Sequence, residues 1–437
     1  MTVEALLNER VAAVPLRGAM PSWWRMALIP AAALTALLAV AIGWLFYRGV
    51  GIWGVDYPVA WGFALINYVW WIAIASGGTF ISALFFLMEA EWRSALNRIA
   101  ETMTLFAAAC AGIYPILHLG RPWLFYWLLP YPDSMGLWPQ FRSPLLWDFY
   151  AILTYVIGSV LFWHVGLAPD LASLRDAAGS RFWRFLYGVA SFGFSFSARH
   201  WRIFREVYGV LAAVMAPLVI SVHSIVGLDF AGGQTPGWHS TQFPPFFVFG
   251  AALSGFAVVL LLAIPLRRLM RFEAFITERH LDILAKLLLT SSLCVAYSYA
   301  MEIFSVFYAG DAADRAQLFE RLNGTYWPIF WGTLLFNVLL PQSLWIGKWR
   351  RNPVWLSGLS FLVLAGMWLE RFEIVITSLA RTRMKSSWGG FMPTFWDYAT
   401  MFGTIGLFCL GMLLFLRFLP ALSMFELREL AAKEAKR

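Results

Sequence analysis

The sequence predicts an all-α integral membrane protein. Ten transmembrane helices form two four-helix bundles (spans 2–5 and 6–9), flanked by spans 1 and 10. Three observations carry this reading. Hydrophobic residues make up 60% of the 437 and charged residues only 13%, with a mean hydropathy of +0.66; soluble domains sit near ~45–50% apolar and ~25% charged. Ten apolar runs each reach the ~20 residues that a helix needs to cross a bilayer core. Finally, with the N-terminus inside, the inner gaps hold 23 Lys and Arg and the outer gaps 8, the asymmetry of cytoplasmic against external loops.

The runs lie at 26–47, 59–88, 99–119, 145–167, 206–228, 245–266, 282–308, 327–347, 354–379 and 396–419. The first follows a mixed cytoplasmic tail (1–25) with no small-x-small cleavage site after the apolar run, and is expected to act as a signal anchor. Pro58 precedes the second, whose Ser76-Gly77-Gly78-Thr79 stretch suits close helix contact. The third runs from Arg98 and Glu101 to His118 and Arg121, and Pro122 closes it. The fourth opens after Pro144 with Asp148. The fifth ends near His223 and Asp229, with Gly227 expected to stop the helix between them. Pro244 and Pro245 open the sixth, and Arg267 and Arg268 end it. The seventh opens at Asp282, the ninth follows Pro353 and carries Glu370, Arg371 and Glu373, and the tenth follows Pro393 and carries Asp397. The longest loops are expected at 120–144 outside and 168–205 inside.

Spans two and six both follow a proline and lead through a basic turn to a span opening with an acid (Arg98, Glu101; His280, Asp282). This faint repeat divides the chain. A first span and outer loop (26–57) precede a first bundle (58–230) and a second bundle (231–380). The last span and a cytoplasmic tail (381–437) follow. Both termini are expected in the cytoplasm.

The net charge of +8 belongs to these inner loops and not to a nucleic-acid surface. Cys110, Cys294 and Cys409 all fall in apolar runs and form no Cys-x-x-Cys. An Fe–S cluster or zinc site ligated by the cysteines of this chain alone is therefore not expected.

Ionisable groups at bilayer depth are costly, so each is a functional candidate. The heavier group lies in the outer half: His118, Arg121, Asp148, His223, Asp229, Glu302, Glu370, Arg371, Glu373 and Asp397. Glu101, His164, Asp282 and Lys286 lie in the inner half. Tyr114, His118 and Arg121 have the i, i+4, i+7 spacing of one helix face, and Asp148 begins the next span, so an outer pocket between spans 3 and 4 is expected. A His, a carboxylate and an Arg at the lipid boundary suit quinone chemistry. Two carbonyl oxygens need hydrogen-bond partners, and one group must trade a proton. Trp123, Phe125, Tyr126, Trp127, Trp138 and Phe141 could line such a pocket or form the aromatic belt of the interface.

In span 7, Lys286, Thr290, Cys294, Ser298 and Glu302 recur every four residues. They could line a proton path, or their hydroxyls could bond back to i−4 carbonyls. Glu370, Arg371 and Glu373 suit an internally neutralised ion cluster. Haem b needs two facing His deep in a bundle. Only His118 and His223 could meet, so no haem is expected. His200, His239 and His280 fall in loops or at span edges.

The motifs His118-Leu-Gly-Arg-Pro-Trp, Leu137-Trp138-Pro139-Gln140-Phe141, Ser143-Pro144-Leu145-Leu146-Trp147-Asp148, His223-Ser224 with Asp229-Phe230, and Arg279-His280-Leu281-Asp282 resemble the NrfD/PsrC family of quinone-interacting membrane subunits. Within it they resemble most the longer ActC type of alternative complex III. The resemblance implies a bacterial cytoplasmic-membrane subunit that binds menaquinone or ubiquinone near the periplasmic face, with no haem, Fe–S or flavin of its own. It implies His118, Asp148 and Asp229 as catalytic residues, and Tyr114, Arg121 and His223 as further quinone-binding residues. A proton path would draw on Glu101, Asp282, Lys286, Thr290, Ser298 and Glu302. Implied partners are a periplasmic Fe–S subunit (ferredoxin-like or molybdopterin-like), a multihaem cytochrome c and a paralogous membrane subunit, docked on 120–144 and 229–244. Two alternatives stand beside quinol oxidation in such a complex. One is the quinone-reactive anchor of a polysulfide- or tetrathionate-type molybdopterin oxidoreductase. The other is a proton translocator or structural anchor without a quinone site.

Overall fold

The computed structural model describes residues 3–18, 20–128, 144–238 and 240–434, and no strand occurs among them. Among the described residues eight helices are long and apolar enough to cross a membrane: α1 (Ser22–Arg48), α2 (Phe63–Leu87), α3 (Asn97–Leu117), α4 (Pro144–Ala177), then, after the short α5 (Arg181–Ala190), α6 (Ala198–Ala231), α7 (Phe243–Leu269) and α8 (Glu278–Ala309), and finally, after α9 (Ala312–Asn323), α10 (Trp327–Leu334) and α11 (Pro353–Phe372), α12 (Phe395–Phe418). A last helix, α13 (Met424–Glu434), follows.

Local chemistry sets many of the boundaries. Ser197, Asp311 and Asn352 cap α6, α9 and α11 by accepting from backbone N–H groups of the first turn. Thr277 with His280, and Thr394 with Asp397, form reciprocal capping boxes on α8 and α12. Such caps satisfy the orphan donors of a helix start. Gly49, at φ 78°, turns the chain out of α1.

The eighth expected span is a composite. Its α10 passes into a π turn at Leu335–Leu339 and a 3-10 turn at Leu340–Trp345. The ninth, α11, continues through another π turn, Glu373–Thr377, which begins at the last of its three charged residues. A third π turn interrupts α2 at Phe80–Leu84. Each inserts one residue into the helical repeat and re-aims the side chains beyond it.

α7 is the hub, packing on α2, α6, α8 and α11, while α1 and α12 pair at one side and α12 also meets α3. Burial follows: 83% of the apolar stretch of α2 is covered, against 17% of α1. In lipid, helices associate through close packing and internal hydrogen bonds, because the tails are as apolar as leucine. Gly77 shows how close: a Cβ there would sit 2.1 Å from the Cα of Gly255 on α7. The small run of span 2 thus makes the contact expected of it.

Two expectations are corrected. The inner segment 168–205 is not a long loop. Its first ten residues extend α4, whose interior Pro169 is tolerated because neighbours re-satisfy the backbone, and α5 occupies 181–190. Gly227 does not end a helix, for α6 runs unbroken to Ala231. A Cβ at Gly227 would lie 2.8 Å from the Cα of Pro244, so this glycine lets α6 touch the start of α7.

The N-terminal segment and α13 share one face of the molecule. Arg428 donates to Asn8 (3.3 Å), Arg417 to the Pro15 carbonyl (3.4 Å) and Arg10 to the Arg271 carbonyl (2.5 Å).

Candidate functional site

Three helices meet near the opposite face. Tyr68 on α2 donates its hydroxyl to Oδ2 of Asp148 on α4, and the pair is buried. Asp229, near the end of α6, stands within electrostatic reach of both. Oδ1 of Asp148 and Oδ1 of Asp229 are buried without a hydrogen-bond partner among the described residues. Buried polar atoms nearly always find a partner; two such oxygens on acids within electrostatic reach of each other make this place the candidate site for a donor from outside the chain.

A polar column continues below. His223 shares a hydrogen bond with Ser76 through Nδ1 (3.0 Å), while its Nε2 is buried and has no partner among the described residues. Thr79 and Tyr155 bond at 2.6 Å, and Thr104 donates to the Ala75 carbonyl at 2.8 Å. At the far end, Arg98 joins Glu101 (3.0 Å) and Asp170 (3.2 Å), Tyr208 donates to Glu101 (2.8 Å), and Arg93 pairs with Glu426 (2.8 Å). Sequence reasoning missed Tyr68, Tyr155 and Asp170. The signal for Asp170 was present, as an acid beyond Pro169 on a helix taken to end at 167.

The remaining candidates scatter. The expected common face of Tyr114, His118 and Arg121 does not form, because α3 stops at Leu117. Tyr114 turns to α12, sharing a hydrogen bond with Thr404 (2.9 Å) and donating to the Thr400 carbonyl. The ring of His118 turns back on the carbonyls of Tyr114 and Pro115 and packs against Trp61, 5.4 Å between centroids, just ahead of α2. Arg121 is exposed. The ring of His118 packs against Trp61, ahead of α2, whereas that of His223 bonds Ser76, in the middle of α2. Trp123, Phe125 and Tyr126 are exposed; the Trp127 side chain, Trp138, Phe141 and His239 lie outside the described residues. His200 and His280 accept from the backbone N–H of Ser195 and Thr277 in local turns.

A second buried cluster joins α7, α8, α9 and α11. Tyr299 donates to Glu370, which also accepts from Arg371. Asn337 donates to Tyr299 (3.2 Å), and Arg321 bridges Glu302 (2.7 Å) and Glu373 (3.4 Å). Arg371 lies over the Phe247 ring (4.3 Å) and within electrostatic reach of His223. Glu370, Arg371 and Glu373 thus join one buried ion cluster in which the two guanidinium groups of Arg371 and Arg321 face three carboxyl groups, those of Glu302, Glu370 and Glu373, with Arg321 buried on α9. A cavity of about 20 Å³ among these residues has room for one water.

The span 7 series divides. Thr290 and Ser298 donate to the i−4 carbonyls of Lys286 and Cys294 (2.9 and 3.0 Å). Lys286, 57% exposed, pairs with Asp282, which Arg350 also holds. Among the described residues no group of three or more His, Cys, Asp or Glu side chains could hold a metal ion.

Residues 52–382 match the family described as polysulphide reductase, NrfD. The chain is 26% identical over 419 residues to a putative dimethyl sulfoxide reductase membrane subunit of Halobacterium salinarum (strain ATCC 700922 / JCM 11081 / NRC-1); the match spans 89% of this chain and 90% of that protein. With three quarters of its length inside the family pattern, this chain belongs to the NrfD family of polysulphide-reductase membrane proteins.

Proposed function

We propose that the chain is the quinone-reactive membrane subunit of an oxidoreductase complex, and that it oxidises quinol where α2, α4 and α6 converge. The observation that carries this reading is the pair of buried carboxylate oxygens on Asp148 and Asp229 that have no partner among the described residues. A quinol presents two hydroxyl donors, and a carboxylate is the acceptor that can both hold such a donor and take its proton. Oxidation releases two protons and two electrons from each quinol. Asp148, oriented by Tyr68, and Asp229 receive the protons. The electrons pass to a redox centre of a bound subunit. His118, beside Trp61, holds the second ring oxygen. His223 supports the site from beneath; Tyr114, bonded to Thr400 and Thr404 of α12, and the exposed Arg121 act on it only through the α3 end that carries His118.

The membrane topology assigned here has ten spans, with the composite α10 segment and α11 as the eighth and ninth, in two four-helix bundles (58–230 and 231–380). The basic gaps of the sequence put both termini in the cytoplasm of a bacterium and the quinol site near the periplasm. Proton movement is assigned to Glu101 at the foot of the polar column, and to Asp282, Lys286 and Glu302 in the second bundle; Thr290 and Ser298, whose hydroxyls bond back to i−4 carbonyls, drop out of that path. The electron-accepting partners are an Fe–S subunit and a multihaem cytochrome c, beside a paralogous membrane subunit, as in alternative complex III.

The relative named as a dimethyl sulfoxide reductase membrane subunit favours a second reading of the partner. There the electrons from the same quinol site serve a molybdopterin-type reductase. Quinol-dependent turnover of the purified complex tests the shared core. Asp148→Asn and His118→Ala lower it by about a hundredfold or more; unchanged turnover in both removes the site. Turnover with cytochrome c or with a sulfoxide or polysulfide as acceptor separates the two partners.

A further inference from the structure

On the face that carries both termini, α4, α6 and α13 enclose an open cavity of about 750 Å³. Its walls are apolar where Trp201, Phe196 and Phe425 line it, and charged where Arg202, Arg205 and Arg428 do. Two carboxylates, Glu206 and Glu429, share the cavity. Glu429 stands 3.6 Å from Arg205 and 4.0 Å from Lys433. Arg202 has no hydrogen bond or ion pair among the described residues. Nε of Arg428 is buried and unpartnered there, although its Nη2 donates to Asn8. Three guanidinium groups and the Lys433 ammonium against two carboxylates leave a positive surplus.

The neighbouring segment has a second unpartnered feature. In α5, Phe182, Phe185, Leu186 and Val189 recur at the i, i+3, i+4, i+7 spacing of one face and are 65%, 72%, 42% and 60% exposed. The opposite face is fastened down: Trp183 stacks on Tyr187 and Phe418, and the Tyr187 hydroxyl donates to the Phe418 carbonyl at 3.1 Å. The turn after α5 leads through Phe192, 77% exposed, to Phe196 in the cavity wall. An amphipathic helix held across the ends of membrane spans lies in the headgroup plane, its apolar face among acyl chains.

We infer that the cavity binds the phosphodiester headgroup of an anionic phospholipid, in the leaflet on the side of the termini. The negative charge of a phosphodiester answers that positive surplus, and Arg presents a fork that matches phosphate oxygens. Basic pockets between spans on the cytoplasmic side are suited to such headgroups. The aromatic wall and the open face of α5 take the glycerol backbone and the acyl chains, which a free phosphate ion lacks. None of this depends on the quinol site.

The test uses the full chain in neutral detergent, with phosphatidylglycerol, phosphatidylcholine and inorganic phosphate as probes and native mass spectrometry as the readout. The chain retains phosphatidylglycerol over phosphatidylcholine, and Arg202→Gln with Arg428→Gln lowers that retention about thirtyfold. Glu429→Gln, which removes a competing carboxylate, raises it, and a misfolded protein cannot imitate that gain. Phe182→Ser with Phe185→Ser shortens retention without altering the headgroup preference. Equal retention of the two lipids, an unchanged Glu429→Gln variant, or displacement of the lipid by equimolar inorganic phosphate would each overturn the inference.

Discussion

Tyr68 donates its hydroxyl to one oxygen of Asp148, and the other oxygen of that carboxylate is buried with no partner among the described residues. One half of the acid is fixed and the other half is open. Fixing an acceptor from behind while leaving its free oxygen toward a pocket is how a site holds a ligand donor in one orientation, at little reorganisation cost when the ligand arrives.

Tyr68→Phe removes the fixing bond and keeps the ring. Both oxygens of Asp148 are then buried without a donor, at a cost of about 1–3 kcal/mol. The variant is expected to unfold at a lower temperature in detergent, and quinol turnover falls through a weaker hold on the ring. Adding saturating quinol restores part of the rate if Tyr68 positions Asp148, and none if the tyrosine is itself a proton donor.

Gly77→Val is expected to prevent accumulation of the protein in the membrane. Its Cβ would already overlap the Gly255 backbone at 2.1 Å, and neither backbone can yield without parting α2 from α7. Gly43→Val on α1, where nothing lies within 4 Å, accumulates like the parent. Immunoblotting of membranes for the two variants reads the contrast.

Arg371→Ala strands Glu370 in the interior and is expected to cost about 3–5 kcal/mol, because a broken buried pair leaves an uncompensated charge. Lys286→Ala breaks a pair whose lysine is mostly exposed, and costs about 0–1 kcal/mol. Thermal unfolding of both in one detergent compares them; similar losses would mean that Arg371 is solvated.

The cap of α9 gives a pH dependence. The N–H of Asp314, then Arg383 and the N–H of Ala313, hold the Asp311 carboxyl below its usual range. A depressed folded value means the cap contributes fully above the ordinary aspartate value of about 4 and is lost as pH falls through the lower folded one. Protection of α9 from limited proteolysis therefore holds at neutral pH and fails only in strong acid. Asp311→Asn keeps an acceptor oxygen and flattens that dependence.

Fold class was legible because twenty-residue apolar runs and basic gaps are strong, local signals. The ends of α2, α3 and α12 fall within a few residues of the expected positions for that reason. Helix that continues past the lipid carries no hydropathy signal, so the last ten residues of α4 and the amphipathic α5 were read as loop. Asp148 and Asp229 could be named from sequence because acids are rare at that depth. Tyr68 could not, since a tyrosine in an apolar span looks like packing until its partner is known. Arg321 was hidden similarly: α9 is polar on most sides, and only its packing against α8 and α10 buries the guanidinium between two acids.

Photolabelling with an azido-substituted quinone, followed by peptide mapping, tests the central claim most directly. The account predicts label on the segments holding Tyr68, Asp148 and Asp229, suppressed by excess quinol and lost in Asp148→Asn. Label confined to the second bundle around Glu302 and Arg321, or unaffected by Asp148→Asn, would contradict it.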